Sequence, residues 1–307
     1  MRRLHHAVLL SFIAFTACAA APAPDAGNAG AARSGAPAAA MPGGTAANSG
    51  APAARGGGGG PGGGPAASRP RDTTPPYITD DTSGFFLLMP PAPESGDARD
   101  EADRRIFRET RALAGSPRWQ MAAEDAELGN AAMLKHFSCS LGIDVKAEQI
   151  PRTVALLQKA TREAARSVGP AKEYYHRKRP FLVDKGETCV PASTIGESYD
   201  YPSGHTTAGW AWALVLAQVD PEHAEPILKR GRAIGDSRVV CGMHNASAVE
   251  SARFLTGAAM AVVAASPLYQ ADVVVARAEL ESLRKGEHLK PEPRSCVLES
   301  QLVGTYW

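Results

Sequence analysis

From residue 98 onward the apolar positions recur at helical spacing. Ile106, Thr110 and Leu113 mark one side of a run of alternating charge, which predicts a half-exposed helix over 98–113. Ser116 then Pro117 is a cap residue before a proline at the first helical position, and predicts a helix carried through Ala132, Met133 and Phe137 towards Gly142. After Pro151, Val154, Leu157, Ala164 and Val168 repeat near the helical period, and Gly169-Pro170 is expected to stop that run. A further helix is predicted over 172–179, ended by Pro180, because the residue before a proline is pushed out of helical geometry. Residues 181–198 read as loop, whereas 203–219 are apolar nearly all round, with Trp210, Trp212, Leu214, Val215 and Leu216. That stretch is too short to cross a bilayer and predicts a buried central helix. Asp220-Pro221 opens a helix towards Val240, residues 246–265 are again largely apolar, and 267–285 are amphipathic through Leu268, Val273, Val274 and Leu280. Upstream, Phe85-Phe86-Leu87-Leu88-Met89 before Pro90, Pro91 and Pro93 predicts an extended arm over 78–94, and the tail over 291–307 reads as irregular. Nothing alternates at period two, so the expected fold is all-α, a compact single-domain helical bundle of roughly six to eight helices.

Composition removes the N-terminal quarter from that bundle. Residues 19–70 hold 19 Ala, 14 Gly and 8 Pro in 52 positions. Such a stretch has almost nothing to bury against the entropy of ordering it, and is expected to be a tether. Ahead of it, Arg2 and Arg3 precede an apolar run over 7–17 and then small residues, the pattern of a secretory signal. Phe15-Thr16-Ala17-Cys18 resembles a bacterial lipobox, which makes Cys18 a lipidation candidate; ordinary cleavage in the Ala19-Ala20-Ala21 run is the alternative. The expected organisation is a signal peptide over 1–18, a disordered tether over 19–72 and one folded domain over 73–307. With 33 basic and 32 acidic residues the net charge is +1, which disfavours nucleic acid as a partner and makes any anion recognition local.

Five cysteines are present, and without Cys18 an even set remains: Cys139, Cys189, Cys241 and Cys296. In an exported chain this suggests two disulfides, with three pairings open. Neither C-x-x-C nor H-E-x-x-H occurs, so the usual metal spacings are absent and no cofactor is expected. His136, His176, His223 and His288 are scattered singly and suit packing or surface roles.

Three segments carry candidate chemistry. Lys172 and Arg179 lie seven positions apart, about two helical turns, so both cations are expected on one helix face. Pro202-Ser203-Gly204-His205 stands where the central helix begins, and a helix N-terminus offers unpaired backbone donors and a positive dipole end. Ser237-Arg238 is followed after five residues by His244. Each segment alone has an ordinary reading as surface charge, cap or packing. Together they supply what phosphoryl transfer through a covalent histidine requires: cations for the phosphate, a nucleophilic imidazole and a second imidazole to move protons.

Lys172-x6-Arg179-Pro180, Pro202-Ser203-Gly204-His205 and Ser237-Arg238-x5-His244 resemble the three-part signature of the phosphatidic acid phosphatase type 2 superfamily, and within it the bacterial class A non-specific acid phosphatases. The resemblance runs from about Phe85 to the helix ending near Lys285. It implies the all-α fold shared with the vanadium haloperoxidases and metal-independent hydrolysis of small phosphate monoesters in the periplasm. Lys172, Arg179, Ser203, Gly204 and Arg238 would bind phosphate, His244 would attack phosphorus, and His205 would act as general acid and base. A homodimer is implied too, and a lipidated Cys18 would anchor the chain to the outer membrane. Placed on these motifs, Cys189 and Cys241 come near the site and are the expected pair, which leaves Cys139 with Cys296 to staple the tail.

One position departs from the motif. Where the family has an aspartate four residues after the nucleophile, this chain has Ala248. A nucleophilic imidazole needs its far nitrogen protonated and held, and losing such a carboxylate costs serine proteases on the order of 10⁴ in turnover. Glu250 would point about 200° away on a helix, so Ser247 or a backbone carbonyl is the expected weaker substitute. A weakened phosphatase is the expectation, with Ala248→Asp raising the rate. The alternatives are a phosphate-binding pseudoenzyme and, less favoured, a vanadate-dependent haloperoxidase.

Overall fold

The structure is a computed structural model that describes residues 75–195, 197–285 and 289–304. The signal, Cys18, the tether and His288 lie outside the described residues. Those that are described contain ten α-helices and no strand.

A 3-10 turn over Ser83–Leu88, rather than a fully extended arm, leads into α1 (Ala98–Thr110). Asp97 caps α1 by accepting from the Asp100 N–H at 2.7 Å. Ser116 caps α2 (Pro117–Glu124) in the same way, at 3.2 Å to Trp119 N–H. The single helix predicted onward to Gly142 is two, with α3 spanning Asn130–Leu141. The break falls at Asp125, which is fully buried and drawn to Arg230 by a two-pronged ion pair at 2.5 and 3.2 Å. Gly142, at φ 67°, ends α3 in the left-handed region that favours glycine.

Helix α4 (Pro151–Ala164) has no capping side chain of its own. Glu279 supplies one from α9 (Pro267–Arg284), accepting from Arg152 N–H at 3.1 Å and from Thr153 N–H and Oγ1 at 2.8 and 2.7 Å. Gly169-Pro170 does not stop a helix but sits in the first turn of α5 (Val168–Tyr175), where a proline forfeits no helical hydrogen bond. The central helix is α6 (Gly204–Val219), followed by α7 (Ala224–Val240), α8 (Ala246–Ala265) and α9.

Helix α6 packs on α4, α7, α8 and α9. Its approach to α7 is close enough to require glycine: a Cβ at Gly231 would lie 2.2 Å from the Ala213 methyl, and one at Gly209 2.5 Å from Ile234. Around this contact, Phe137, Ile150, Leu157, Val215, Leu216, Ile234 and Val263 form the main core. Helix α8 is long and apolar enough to cross a membrane by composition, but it packs against α4, α6, α7 and α9 and half of it is buried within the protein. The tail is not irregular: α10 (Pro293–Val303) is capped by the Glu292 carboxylate and joined to α3 through Cys139–Cys296.

Candidate active site

The site forms where the N-terminus of α6 meets the turn between α7 and α8. Arg238 stands near the end of α7, and the chain then wraps around its carbonyl, which accepts from Met243 N–H at 2.9 Å and His244 N–H at 3.1 Å. Gly242 makes this turn at φ 75°, where a Cβ would also collide with Arg111 at 2.5 Å. The Arg111 guanidinium in turn binds the Val239 and Val240 carbonyls at 3.1 and 2.6 Å and the Glu187 carbonyl. A cation on the last carbonyls of a helix is favourably placed against the helix dipole. The turn is further held by the Cys189–Cys241 disulfide, so both expected pairings are found.

His244 is buried, and its neighbours fix its tautomer. Nε2 lies 2.9 Å from Nη1 of Arg179, which can only donate, so Nε2 carries the lone pair. Nδ1 therefore bears the proton and donates it to Asp200 at 2.8 Å. Burial first, then Arg179, Lys172 and Arg238, holds the imidazole well below its ordinary pKa.

Lys172 and Arg179 meet at the site, but not by sharing a helix face. Helix α5 ends at Tyr175, with His176 at φ 46°, and Arg179 sits on extended backbone ahead of Pro180. Arg177, between them, turns into a buried ion-pair cluster, and this pulls the chain out of helix. Arg179 is fixed through Nε to the Ser198 carbonyl at 2.7 Å and through Nη1 to the Met243 carbonyl at 2.9 Å. Lys172 donates to the Tyr199 carbonyl. Burial and the neighbouring Arg179 lower its ammonium to a pKa of about 8.

Arg238 is 1% exposed, yet its Nε and Nη1 have no hydrogen-bond partner among the described residues. Burial and Arg179 lower its pKa to about 10. Unpaired donors on a buried cation are expensive unless an anion visits them.

Ser203 caps α6, its Oγ accepting from Thr206 N–H at 3.3 Å and Thr206 Oγ1 at 2.9 Å, which leaves its own hydrogen to donate. A Cβ at Gly204 would meet only Val168 at 3.9 Å, so protein packing does not demand glycine there, and the space a side chain would take is open to a ligand. His205 donates Nε2–H to the Ala126 carbonyl at 3.1 Å, which leaves the lone pair of the neutral ring on Nδ1. That carbonyl is placed by the break after α2, where Asp125 also accepts from Ser237 Oγ at 2.6 Å. Burial, then Arg238, Arg179 and Lys172, lowers the His205 pKa to about 3.

The histidines expected in packing or surface roles divide between the two, with His136 buried, His223 partly exposed and His176 exposed. His136 contacts the Glu127 carbonyl at 3.1 Å, His223 lies 3.1 Å from Asp220, and His176 is an exposed helix end.

Sequence reasoning missed the Asp200 cluster. Asp200 is fully buried and its two oxygens accept from His244 Nδ1 at 2.8 Å, Asn245 N–H at 3.2 Å and Asn245 Nδ2 at 2.8 Å. Arg177 lies 3.5 Å away and also pairs with Asp103 at 2.9 Å and Asp100 at 3.1 Å. Ser247, expected to orient the ring, instead donates to Asp103 and accepts from Arg177. His244 therefore has a carboxylate despite Ala248, and the premise for expecting Ala248→Asp to raise the rate falls away.

The model of the PAP2 superfamily matches residues 154–271, which contain all three motifs. The chain is 37% identical over 213 residues to an acid phosphatase of Zymomonas mobilis subsp. mobilis, covering 69% of this chain and 80% of that protein. It is 34% identical over 209 residues to a non-specific acid phosphatase of Salmonella typhimurium, covering 66% and 84%. With a non-specific acid phosphatase of Providencia stuartii the identity is 35% over 200 residues, covering 64% and 81%.

Proposed function

The chain belongs to the PAP2 superfamily, beside these acid phosphatases, and on that premise we propose that it hydrolyses small phosphate monoesters through a phosphohistidine without a metal. The observation that carries the reading is His244, buried, with its proton on the Asp200 side and its Nε2 lone pair facing the cation Arg179. Lys172, Arg179 and Arg238, with the Ser203 hydroxyl and the N-terminus of α6, hold the phosphate oxygens and supply the charge that phosphoryl transfer needs. Binding draws the Arg179 donor onto phosphate and frees Nε2.

Nε2 then bonds to phosphorus as the bond to the ester oxygen breaks, and His205 gives that oxygen a proton, releasing the alcohol. Water attacks the phosphohistidine, His205 takes its proton, the N–P bond breaks, and inorganic phosphate leaves. His205 starts neutral because it is buried and faces the cations Arg238, Arg179 and Lys172. A bound phosphate offsets them, raises its pKa and lets it carry the proton, and mild acid assists this step.

The test is hydrolysis of p-nitrophenyl phosphate in EDTA, with ³²P-labelled phosphoryl trapped on protein by alkaline quench. Acid-labile, base-stable label in the wild type and none in His244→Ala is expected. Activity lost in EDTA and restored by a divalent ion, or retained by His244→Ala, would overturn it. The pseudoenzyme alternative rested on the missing carboxylate, and Asp200 removes its motive.

Export to the periplasm, lipidation of Cys18 and a homodimer complete the proposal. Two disulfides favour an oxidising compartment. The anchor rests on the lipobox-like Phe15-Thr16-Ala17-Cys18, and the dimer on family resemblance. An inhibitor of lipoprotein signal peptidase should leave an uncleaved, heavier precursor; unchanged processing would refute the anchor.

A further inference from the structure

We propose that Asp200 does, from a different place in the chain, the work of the aspartate that Ala248 replaces: it is the positioning residue that holds His244 in its attacking tautomer and balances the charge on the ring as Nε2 bonds to phosphorus. The inference rests on the phosphohistidine reading above and names a residue that the three motifs do not contain.

The backbone explains how residue 200 reaches the ring. Ser203 N–H donates to the Ala248 carbonyl at 3.1 Å, which lays the segment before α6 across the first turn of α8. Asp200 N–H donates to the Arg177 carbonyl at 2.8 Å, which fixes the other side of that segment. The Asp200 carboxylate thus enters from the α6 side, where the family aspartate would enter from α8. Three directional bonds satisfy its oxygens, so it cannot turn away from His244 without stranding the Asn245 amide and backbone N–H.

The charges around it fit the role. Arg177 and Arg179 face it, and Lys172 feels its field; Asp100 and Asp103 share Arg177 from the side of α1. Asp200 is the acid bonded to His244, and no second acid contacts that ring among the described residues. The Ala248 methyl, meanwhile, packs in an apolar cluster with Met89, Val168, Ala171, Tyr201 and Leu255. A carboxylate at 248 would be buried among these groups beside an acid already in place, so the two solutions exclude each other.

The experiment compares wild type, Asp200→Asn, Ala248→Asp and His244→Ala on p-nitrophenyl phosphate, with inhibition by inorganic phosphate as a measure of the intact anion site. Asp200→Asn should lower kcat on the order of 10³- to 10⁴-fold, as loss of the carboxylate behind a catalytic imidazole does elsewhere, with KM and phosphate inhibition changed by less than about threefold. Ala248→Asp should lower kcat or leave it unchanged. A folded Asp200→Asn within about threefold of wild-type kcat, equal loss of turnover and phosphate binding, or a gain in Ala248→Asp would each overturn the assignment. If Asp200→Asn does not fold, Asp200→Ser is read the same way. Inactive His244→Ala beside active Asp200→Asn sinks this inference alone, whereas active His244→Ala sinks the phosphohistidine reading itself.

Discussion

Replacing Asp200 by asparagine should stabilise the protein at neutral pH while removing most of its turnover. Burial raises the Asp200 pKa from 3.8 to about 6, against the lowering effects of Arg177, Asn245 and Arg179. The ionised carboxylate is therefore disfavoured in the folded state relative to the unfolded one. Because the folded value lies above the unfolded one, the penalty is full above pH 6, shrinks as pH falls from 6 to 3.8, and is absent below both. About two pKa units correspond to about 3 kcal/mol at pH 7.5, declining to about 0.5 kcal/mol at pH 4. Asparagine avoids this penalty but must turn the Asn245 amide, whose Nδ2 now donates to Asp200, and that adjustment costs about 1 kcal/mol. The net expectation is a gain of about 2 kcal/mol at pH 7.5, or roughly 4–8 °C in Tm, and no gain at pH 4. Urea unfolding at the two pH values, with disulfides intact, measures it. An asparagine variant less stable than wild type at pH 7.5, or an advantage independent of pH, would refute the reasoning.

Three other outcomes follow from the same geometry. With Lys172 at a pKa of about 8, kcat/KM should fall above that pH as the ammonium loses its proton and its hold on phosphate; Lys172→Arg should move this limb upward, and an unmoved limb in a stopped assay would assign it to another group. Inorganic phosphate should raise the Tm of wild type, because its binding occupies the unpaired Arg238 donors; in Arg238→Met the rise should largely vanish and kcat/KM should drop at least about 100-fold, measured by differential scanning fluorimetry and initial rates. Replacing Cys189 and Cys241 by alanine frees a loop of 52 residues, worth about 4 kcal/mol by chain entropy, and should lower urea stability accordingly; a change below about 1 kcal/mol would show that Arg111 alone holds the turn.

What could be read from the sequence was local. Ser116-Pro117 and Ser203-Gly204 announce helix starts because cap and first-turn chemistry is set by adjacent residues, and α6 is legible because it is apolar on every side. Contacts between distant residues set the rest. The break between α2 and α3 answers to Arg230, 105 residues beyond Asp125, and no periodicity near residue 125 registers that pull. Helix α5 ends early because Arg177 is claimed by Asp100, Asp103 and Asp200, so Lys172 and Arg179 converge through a turn rather than along a face. Helix α10 has a weak apolar stripe, with Val297 and Leu298 exposed, and is held through Cys296 and the bond from Arg232 to the Val303 carbonyl at 2.6 Å. Asp200 stood in plain view two residues before Pro202, but only the meeting of the α6 and α8 N-termini puts its carboxylate on His244.

The same arginine-centred contacts explain how a chain of net charge +1 presents a concentrated cationic site. Three acids, Asp100, Asp103 and Asp125, stand around the site: Asp103 accepts from Ser247 and Asp125 from Ser237, near His244 and Arg238 in the chain. Arg177 takes the first two and Arg230 the third, and neither arginine is among the proposed phosphate ligands. Asp200 is shared between Arg177 and His244, so its charge acts on the proposed nucleophile. Among the described residues no carboxylate is hydrogen-bonded to Lys172, Arg179 or Arg238, and burial together with the charge of Arg179 depresses the pKa values of Lys172 and Arg238, a cost that a bound dianion would relieve. The arrangement should therefore favour a small doubly charged group, since a single negative charge would relieve only part of the repulsion among three cations.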